Sequence, residues 1–259
     1  MLRSRVIPCL LIHKKGLVKT VKFRDPKYVG DPINAVKIFN EKAVDELMVL
    51  DIDATRYGRE PDYNAIRYIA NECRMPLCYG GGIKTLLQAK SIIKLGVEKV
   101  AISSGALDNP SVLKEIASTI GQQSVVVVLD VKKSLFGRYE IYTHNFTKKV
   151  KKGLEQVLYE LDQIGIGELV INSIDRDGCL SGYDEALAEY VRNIVTCPLT
   201  ILGGAGSQND ILSLIKKFKI IGAAAGSQFV FKGPYKAVLI SYLDANIREA
   251  IYRICHRRD

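Results

Sequence analysis

The sequence predicts an α/β protein folded as a single (β/α)8 barrel built from two half-barrels. Three observations carry that expectation. Eight apolar, β-branched runs alternate with segments of helical spacing, 259 residues match the length eight such units need, and landmarks in the first half recur in the second.

The runs VIPCLLI (6–12), ELMVLDID (46–53), PLCYGGG (76–82) and KVAISSG (99–105) come first. SVVVVLD (124–130), ELVINSID (168–175), LTILGGAG (199–206) and IIGAAAG (220–226) follow. None alternates strictly between apolar and polar residues, which is the pattern of parallel strands covered on both faces. Between them, INAVKIFNEKAV, YNAIRYIANEC, LLQAKSIIKLG and VLKEIASTIG show the three-to-four-residue apolar spacing of amphipathic helices. LEQVLYELDQIG, EALAEYVRNIV and DILSLIKKFK fill the next intervals, and VLISYLDANIREAIYRI (238–254) is expected to close the chain as a helix. Asp108-Asn109-Pro110 puts proline at an N1 position. An open doubly wound sheet is the competing architecture, but it would carry a glycine fingerprint after its first strand, and VIPCLLIHKKG has none.

The internal repeat refines the picture. Val6 to Leu11 corresponds to Val125 to Asp130, 119 residues on; Glu46-Leu47 to Glu168-Leu169 and Asp53 to Asp175, 122 on; Gly80-Gly81 to Gly203-Gly204, 123 on. One domain spanning 1–259 is expected, with half-barrels of roughly 1–122 and 123–259 and equivalent sites on opposite sides of one mouth. Two long basic loops, 13–32 and 131–152, follow the first and fifth strands, each with a hairpin signature (VKTVKF and FGRYEIYTHN). Both fall on the C-terminal rim, where barrel chemistry sits.

Composition narrows the function classes. Lys and Arg number 37 against 28 Asp and Glu, a net charge of +9, which favours acidic partners such as phosphorylated small molecules. Nucleic-acid binding is disfavoured by the absence of Trp and of any basic stretch interleaved with aromatics. No apolar run nears the 18 or so residues of a membrane span, and the strip Val6 to Ile12 reads as a strand rather than a signal core because no small-residue cleavage site follows. The six cysteines show no CxxC pair and no histidine spacing suited to a metal, so no metal, no cofactor and a reducing cytoplasmic location are expected.

The candidate functional residues lie at strand ends. Gly80-Gly81-Gly82, Ser103-Ser104-Gly105, Gly203-Gly204-Ala205-Gly206 and Gly226-Ser227 let backbone N–H groups approach anions, and their pairing predicts two phosphate sites facing each other. Asp51, Asp53, Asp130, Asp175 and Asp177 fall on the rim. Asp53 and Asp175 suit capping or ion pairing as well as chemistry, whereas Asp130 ends the apolar strand VVVVLD and so points to acid–base work. His13 and His144 are read as solvated, with proton carrying as the alternative, and the loop lysines 14, 15, 19, 22, 148, 149, 151 and 152 as solvated charges, with screening of a phosphorylated substrate as the alternative. Arg5, Glu46, Lys99 and Glu168 each open a strand, and either plug the lower end as ion pairs or bridge on the surface.

In this order, VIPCLLI, ELMVLDIDA, YGGGI, EKVAIS, VVVVLDVK, SIDRDGCLSGYD and GGAG resemble the cyclase subunit of imidazole glycerol phosphate synthase over nearly the whole chain. The resemblance implies a TIM barrel with two phosphate sites, a glutaminase partner at its N-terminal face, and ammonia passing through the barrel to a bis-phosphorylated ribulosyl substrate. By position, Asp130 matches one of two catalytic aspartates. Gly81, Gly82, Ser104, Asp177, Gly178, Gly204, Gly226 and Ser227 match phosphate-contacting places, and Asp51 a rim acid. Arg5, Glu46, Lys99 and Glu168 match the charged ammonia gate. Three departures stand out: Leu11 occupies the other catalytic aspartate's position, Asn145-Phe146 replaces Ser-Gly, and Leu202 replaces a small hydroxyl residue. The pattern resembles paralogues found with surface-polysaccharide genes, which pass ammonia to a third protein that builds an acetamidino group on a sugar. The alternatives are a genuine cyclase of histidine biosynthesis and a non-catalytic activator of a glutaminase.

Overall fold

The computed structural model describes residues 3–256; the outermost residues of the expected domain, 1–2 and 257–259, lie outside the described part. Eight parallel strands close on themselves: β1 (Arg5–His13), β2 (Leu47–Asp51), β3 (Leu77–Gly80), β4 (Lys99–Ile102), β5 (Val125–Lys133), β6 (Glu168–Ser173), β7 (Leu199–Leu202) and β8 (Gly222–Ala225). Each pairs with the next, and β8 returns to β1 in the register Arg5 to Gly222 and Pro8 to Ala225. The protein is therefore a (β/α)8 barrel, as the alternation of runs predicts.

Eight outer helices follow the strands: α1 (Pro32–Glu41), α2 (Tyr63–Glu72), α3 (Leu86–Lys94), α4 (Pro110–Ile120), α5 (Leu154–Ile164), α6 (Glu185–Arg192), α7 (Gln208–Phe218) and α8 (Ala245–His256). Local chemistry starts them. Asp31, Asp62 and Asp184 accept from backbone N–H groups three residues on, and Thr85 and Ser207 complete capping boxes with Gln88 and Asp210. Pro110 occupies N1 of α4, although Asn109 makes no side-chain cap. The last helix is shorter than its sequence suggests. Ala237–Val238 pairs antiparallel with Phe231–Lys232, and the residues after it are held by backbone bonds from Leu239 to the Val230 carbonyl and from Ser241 to that of Phe229, so 239–244 runs as a loop into the helix.

Two apolar layers result. The outer one lies between strands and helices and includes Val36, Phe39, Ile66, Ile92 and Leu158. The inner one fills the lumen with Ile7, Cys9, Met48, Cys78, Val126 and Val170, with Leu11 and Leu50 packed on it from the mouth side. Because β1 and β5 are each nine residues long, they overshoot the barrel and feed antiparallel extensions at the C-terminal rim: strands 16–21 and 24–30 after β1, and 139–143 and 148–149 after β5. Both long loops thus contain hairpins, the second formed by β5 itself with 139–143.

Candidate functional site in the barrel mouth

The mouth encloses about 1260 Å³, including space open to solvent, and its walls come from every strand end. Asp130 and Asn172 are register partners on β5 and β6, so both side chains enter the lumen together, and Asn172 Nδ2 donates to Asp130 Oδ1 at 3.0 Å. Burial raises the Asp130 carboxyl to about 7, with the Asn172 bond opposing and the Asp177 charge adding to the rise. A carboxyl poised there can give or take a proton near neutral pH.

Leu11 lines the same mouth, partnered in register by Leu50, and Leu202 stands beside Asn172 on β7. Two further acids reach the mouth, but loop donors engage both. Asp51 Oδ1 accepts from the N–H groups of Asp53 (2.8 Å) and Ala54 (3.1 Å). Asp177 Oδ2 accepts from the Thr20 hydroxyl (2.9 Å) and the Phe23 N–H (3.3 Å). Burial raises both carboxyls above their ordinary range, against those bonds.

Sequence reasoning missed Lys19. Far from being solvated, it is only 6% exposed: the hairpin strand 16–21 folds over the mouth and brings Nζ to the Cys9 carbonyl. Burial lowers its pKa, with Cys9 and Asp177 opposing. Leu17 to Thr20 are buried in succession, so this strand is covered on both faces, and the apolar pair Leu17-Val18 directly before Lys19 was the available signal. His13 is likewise not simply solvated. Its Nδ1 lies 2.8 Å from Asp53 Oδ1, and Asp53 also accepts from the Lys14 N–H and faces Arg59 at 3.3 Å. Burial favours the neutral acid, yet these partners outweigh it and hold Asp53 below its ordinary pKa. Asp175 accepts from the Lys133 N–H, tying the loop after β6 to the end of β5 rather than capping a helix. His144 and Asn145 both line the mouth, and Asn145 Nδ2 donates to the Ile52 carbonyl at 2.7 Å, tying the fifth-strand loop to the second.

The glycine clusters border the mouth on two sides: Gly81, Gly82 and Ser104 on one, Gly178, Gly204, Gly226 and Ser227 on the other. Gly82, at φ +73°, leaves 2.8 Å between the place of a Cβ and the Arg59 carbonyl, and Gly204, at φ +108°, lies against the Gly182 carbonyl. A side chain at either would displace the backbone of the mouth's rim.

At the opposite end, Arg5, Glu46, Lys99 and Glu168 form a closed ring. Lys99 Nζ lies 2.9 Å from both Glu46 and Glu168, and Arg5 reaches Glu168 at 2.9 Å and pairs with Glu46. Both glutamates are 2% exposed, so these are interior pairs rather than surface bridges. Thr200, also missed in the sequence, completes the set with a 2.5 Å bond to Glu168 Oε1. Burial alone would neutralise these groups, but the opposite charges outweigh it, raising Arg5 and Lys99 and lowering Glu168.

Fold and site together define a (β/α)8 barrel with an acid–amide pair in its mouth, an apolar lumen beneath, and an ion-pair ring closing the base. Residues 5–235 match the histidine biosynthesis protein family, and the chain belongs to that family. It is 57% identical over 243 residues to "Putative imidazole glycerol phosphate synthase subunit hisF3" of Vibrio vulnificus, covering 93% of this chain and 94% of the relative. "Putative imidazole glycerol phosphate synthase subunit hisF2" of Pseudomonas aeruginosa is 51% identical over 246 residues, covering 95% and 98%. "Imidazole glycerol phosphate synthase subunit HisF" of Alkaliphilus metalliredigens is 37% identical over 251 residues, covering 96% and 97%.

Proposed function

We propose that this chain is the cyclase-type subunit of a glutamine-dependent complex like imidazole glycerol phosphate synthase, and that it delivers ammonia rather than forming the imidazole ring. In this reading a glutaminase subunit sits on the N-terminal face, and ammonia enters at Arg5, Glu46, Lys99 and Glu168. It passes the apolar lumen, where uncharged NH3 is favoured over ammonium because nothing there solvates a cation. A phosphorylated molecule binds the glycine-bordered mouth through Gly81, Gly82, Ser104, Gly178, Gly204, Gly226 and Ser227, while the Asp177 carboxylate holds the hairpin over it. Asp51 shapes the rim, Asp130 handles protons, and no cofactor or metal takes part. The final acceptor belongs to a third protein that installs an acetamidino group on a surface-polysaccharide sugar. Lacking any helix long and apolar enough to cross a membrane among its described residues, and with six free thiols, the chain fits the reducing cytoplasm.

The observation that carries this reading is Leu11. It lines the mouth with Asp130, and a leucine cannot exchange protons, so a mechanism needing two carboxyls has only one of them in its usual place. The competing reading, a cyclase of histidine biosynthesis, draws on Asp177, whose charge is felt at Asp130 and which could replace the missing acid. Supplying ammonium and the bis-phosphorylated ribulosyl substrate decides between them: no turnover is expected, whereas robust formation of imidazole glycerol phosphate overturns the delivery role. A mere activator of the glutaminase is tested with Lys99→Met in the assembled complex, which should lose transfer of glutamine nitrogen while keeping glutamine hydrolysis.

A further inference from the structure

Asn172 is the side chain the fold leaves incomplete. It sits in β6 between Asp130 on β5 and Leu202 on β7, its register partners, and is 7% exposed. Its Nδ2 has Asp130, but its Oδ1 is a buried acceptor with no partner, the one such side-chain atom among the described residues. An amide oxygen in this position keeps its full desolvation cost until a donor arrives. The walls have none to offer. Leu202 is apolar, Gly203 stands so close that a Cβ there would lie 3.1 Å from Oδ1, and Val128 and Val170 below are aliphatic.

The missing donor must therefore be small, must reach the upper end of an apolar lumen, and must suit a carboxyl that is 3.0 Å from Nδ2 of the same amide. We infer that Asn172 and Asp130 together form a binding site for one ammonia molecule at the top of the lumen, Asn172 acting as a positioning residue. This rests on the proposed delivery role. An N–H of the ammonia donates to Asn172 Oδ1, and its nitrogen shares a proton with the Asp130 carboxyl. The pairs NH3 with COOH and NH4+ with COO− differ only in where that one proton lies, so no other reactant is required. The Nδ2 bond fixes the Asp130 carboxyl in register with the acceptor, and a lone carboxyl in Leu11's company could not hold a tetrahedral molecule in one orientation. The other titratable groups around the mouth are Cys9, Lys19, Asp51, His144 and Asp177. Lys19, the lysine among the residues lining the mouth, donates to the Cys9 carbonyl, and Asp51 and Asp177 are held by their loops, which leaves the Asn172–Asp130 pair as the place for a new donor.

The test uses the full-length protein with ammonium chloride as probe, following the Asp130 carboxyl carbon by NMR as pH is varied. Because ammonium binds the ionised carboxyl, the midpoint should fall, by about one pH unit at tenfold excess over the dissociation constant. Sodium chloride at equal ionic strength should leave it in place. Potassium chloride, an ion of similar size without N–H donors, should also leave it in place. Asn172→Ala should lose the ammonium response while Asp130 still titrates, and Asn172→Gln should recover part of it. An equal response to potassium would make this a generic cation site and overturn the inference. So would no ammonium response in the unsubstituted protein, or a full response in folded Asn172→Ala. Failure of the delivery role reads out separately: glutamine nitrogen would not reach an acceptor even though ammonium binds at Asp130.

Discussion

The Thr20 hydroxyl donates to Asp177 Oδ2 at 2.9 Å, tying the hairpin after β1 to the loop after β6. The Lys22 N–H bonds to the Asp177 carbonyl at 2.9 Å, and the Thr20 carbonyl packs against Gly178, so the hairpin closes over the mouth with Lys19 on its inner side. One consequence is that the Asp177 carboxylate, expected to meet a phosphate, is occupied by the hairpin. Substituting Thr20→Val should remove one such bond, at about 0.5–1.5 kcal/mol. Amide hydrogen exchange should accelerate over residues 16–30, with the outer helices unchanged.

Lys19 is buried with its amine disfavoured as a cation. Its folded pKa lies below that of the unfolded chain, so the charged form opposes folding at low pH and the opposition fades as pH rises towards the unfolded value. Lys19→Met should therefore be more stable than the parent at pH 7, and the gap should narrow in alkaline solution. Urea unfolding at several pH values measures this.

For Asp130 the sign is opposite. Its folded pKa of about 7 exceeds the unfolded carboxylate value, so the native state holds the extra proton between roughly pH 4 and 7. Its contribution is complete below pH 4 and is lost as pH rises through 7, a change on the order of 4 kcal/mol. Asp130→Asn should remove that slope, so the variant loses less stability than the parent between pH 4 and pH 7, as urea unfolding at both pH values measures.

The ring at the base stands or falls as a unit. Lys99→Met leaves Glu46 and Glu168 with Arg5 alone, and an incompletely paired buried charge costs about 3–5 kcal/mol. Lys99→Arg should keep most of the stability. Thermal unfolding compares the two, and the loss should shrink at acid pH, where Glu168 takes up a proton.

Gly204→Ala tests the recess on the β7 side. Its φ of +108° and its contact with the Gly182 carbonyl leave no place for a methyl group. We expect at least a tenfold loss in binding of inorganic phosphate or a sugar bisphosphate by calorimetry, because the rim must shift to accept the substitution.

How the sequence and the fold divide the information follows from ranges of interaction. Strand runs, helix caps and the glycine turns are local: a β-branched run or an Asp three residues before an N–H acts on its own neighbourhood, and so the eight strands, Pro110 at N1 and the candidate acid Asp130 could be read directly. The four charges at or just before strand starts could be recognised too, because a charge beside an apolar strand is conspicuous; whether they were a surface bridge or an interior ring depended on closure of β8 on β1. Lys19, Thr20, Asn172 and Thr200 carried no comparable signal. Each looks like an ordinary polar residue until strand register and hairpin folding bring it against Cys9, Asp177, Asp130 or Glu168, residues 10 to 157 positions away. By itself the sequence determined the barrel, the acid in its mouth and the substitution at Leu11. Only the tertiary structure decided that Lys19 is buried, that Asp177 holds a hairpin, and that Asn172 keeps an acceptor unfilled. Burial and hydrogen-bond pairing are properties of the closed barrel, and no single segment possesses them.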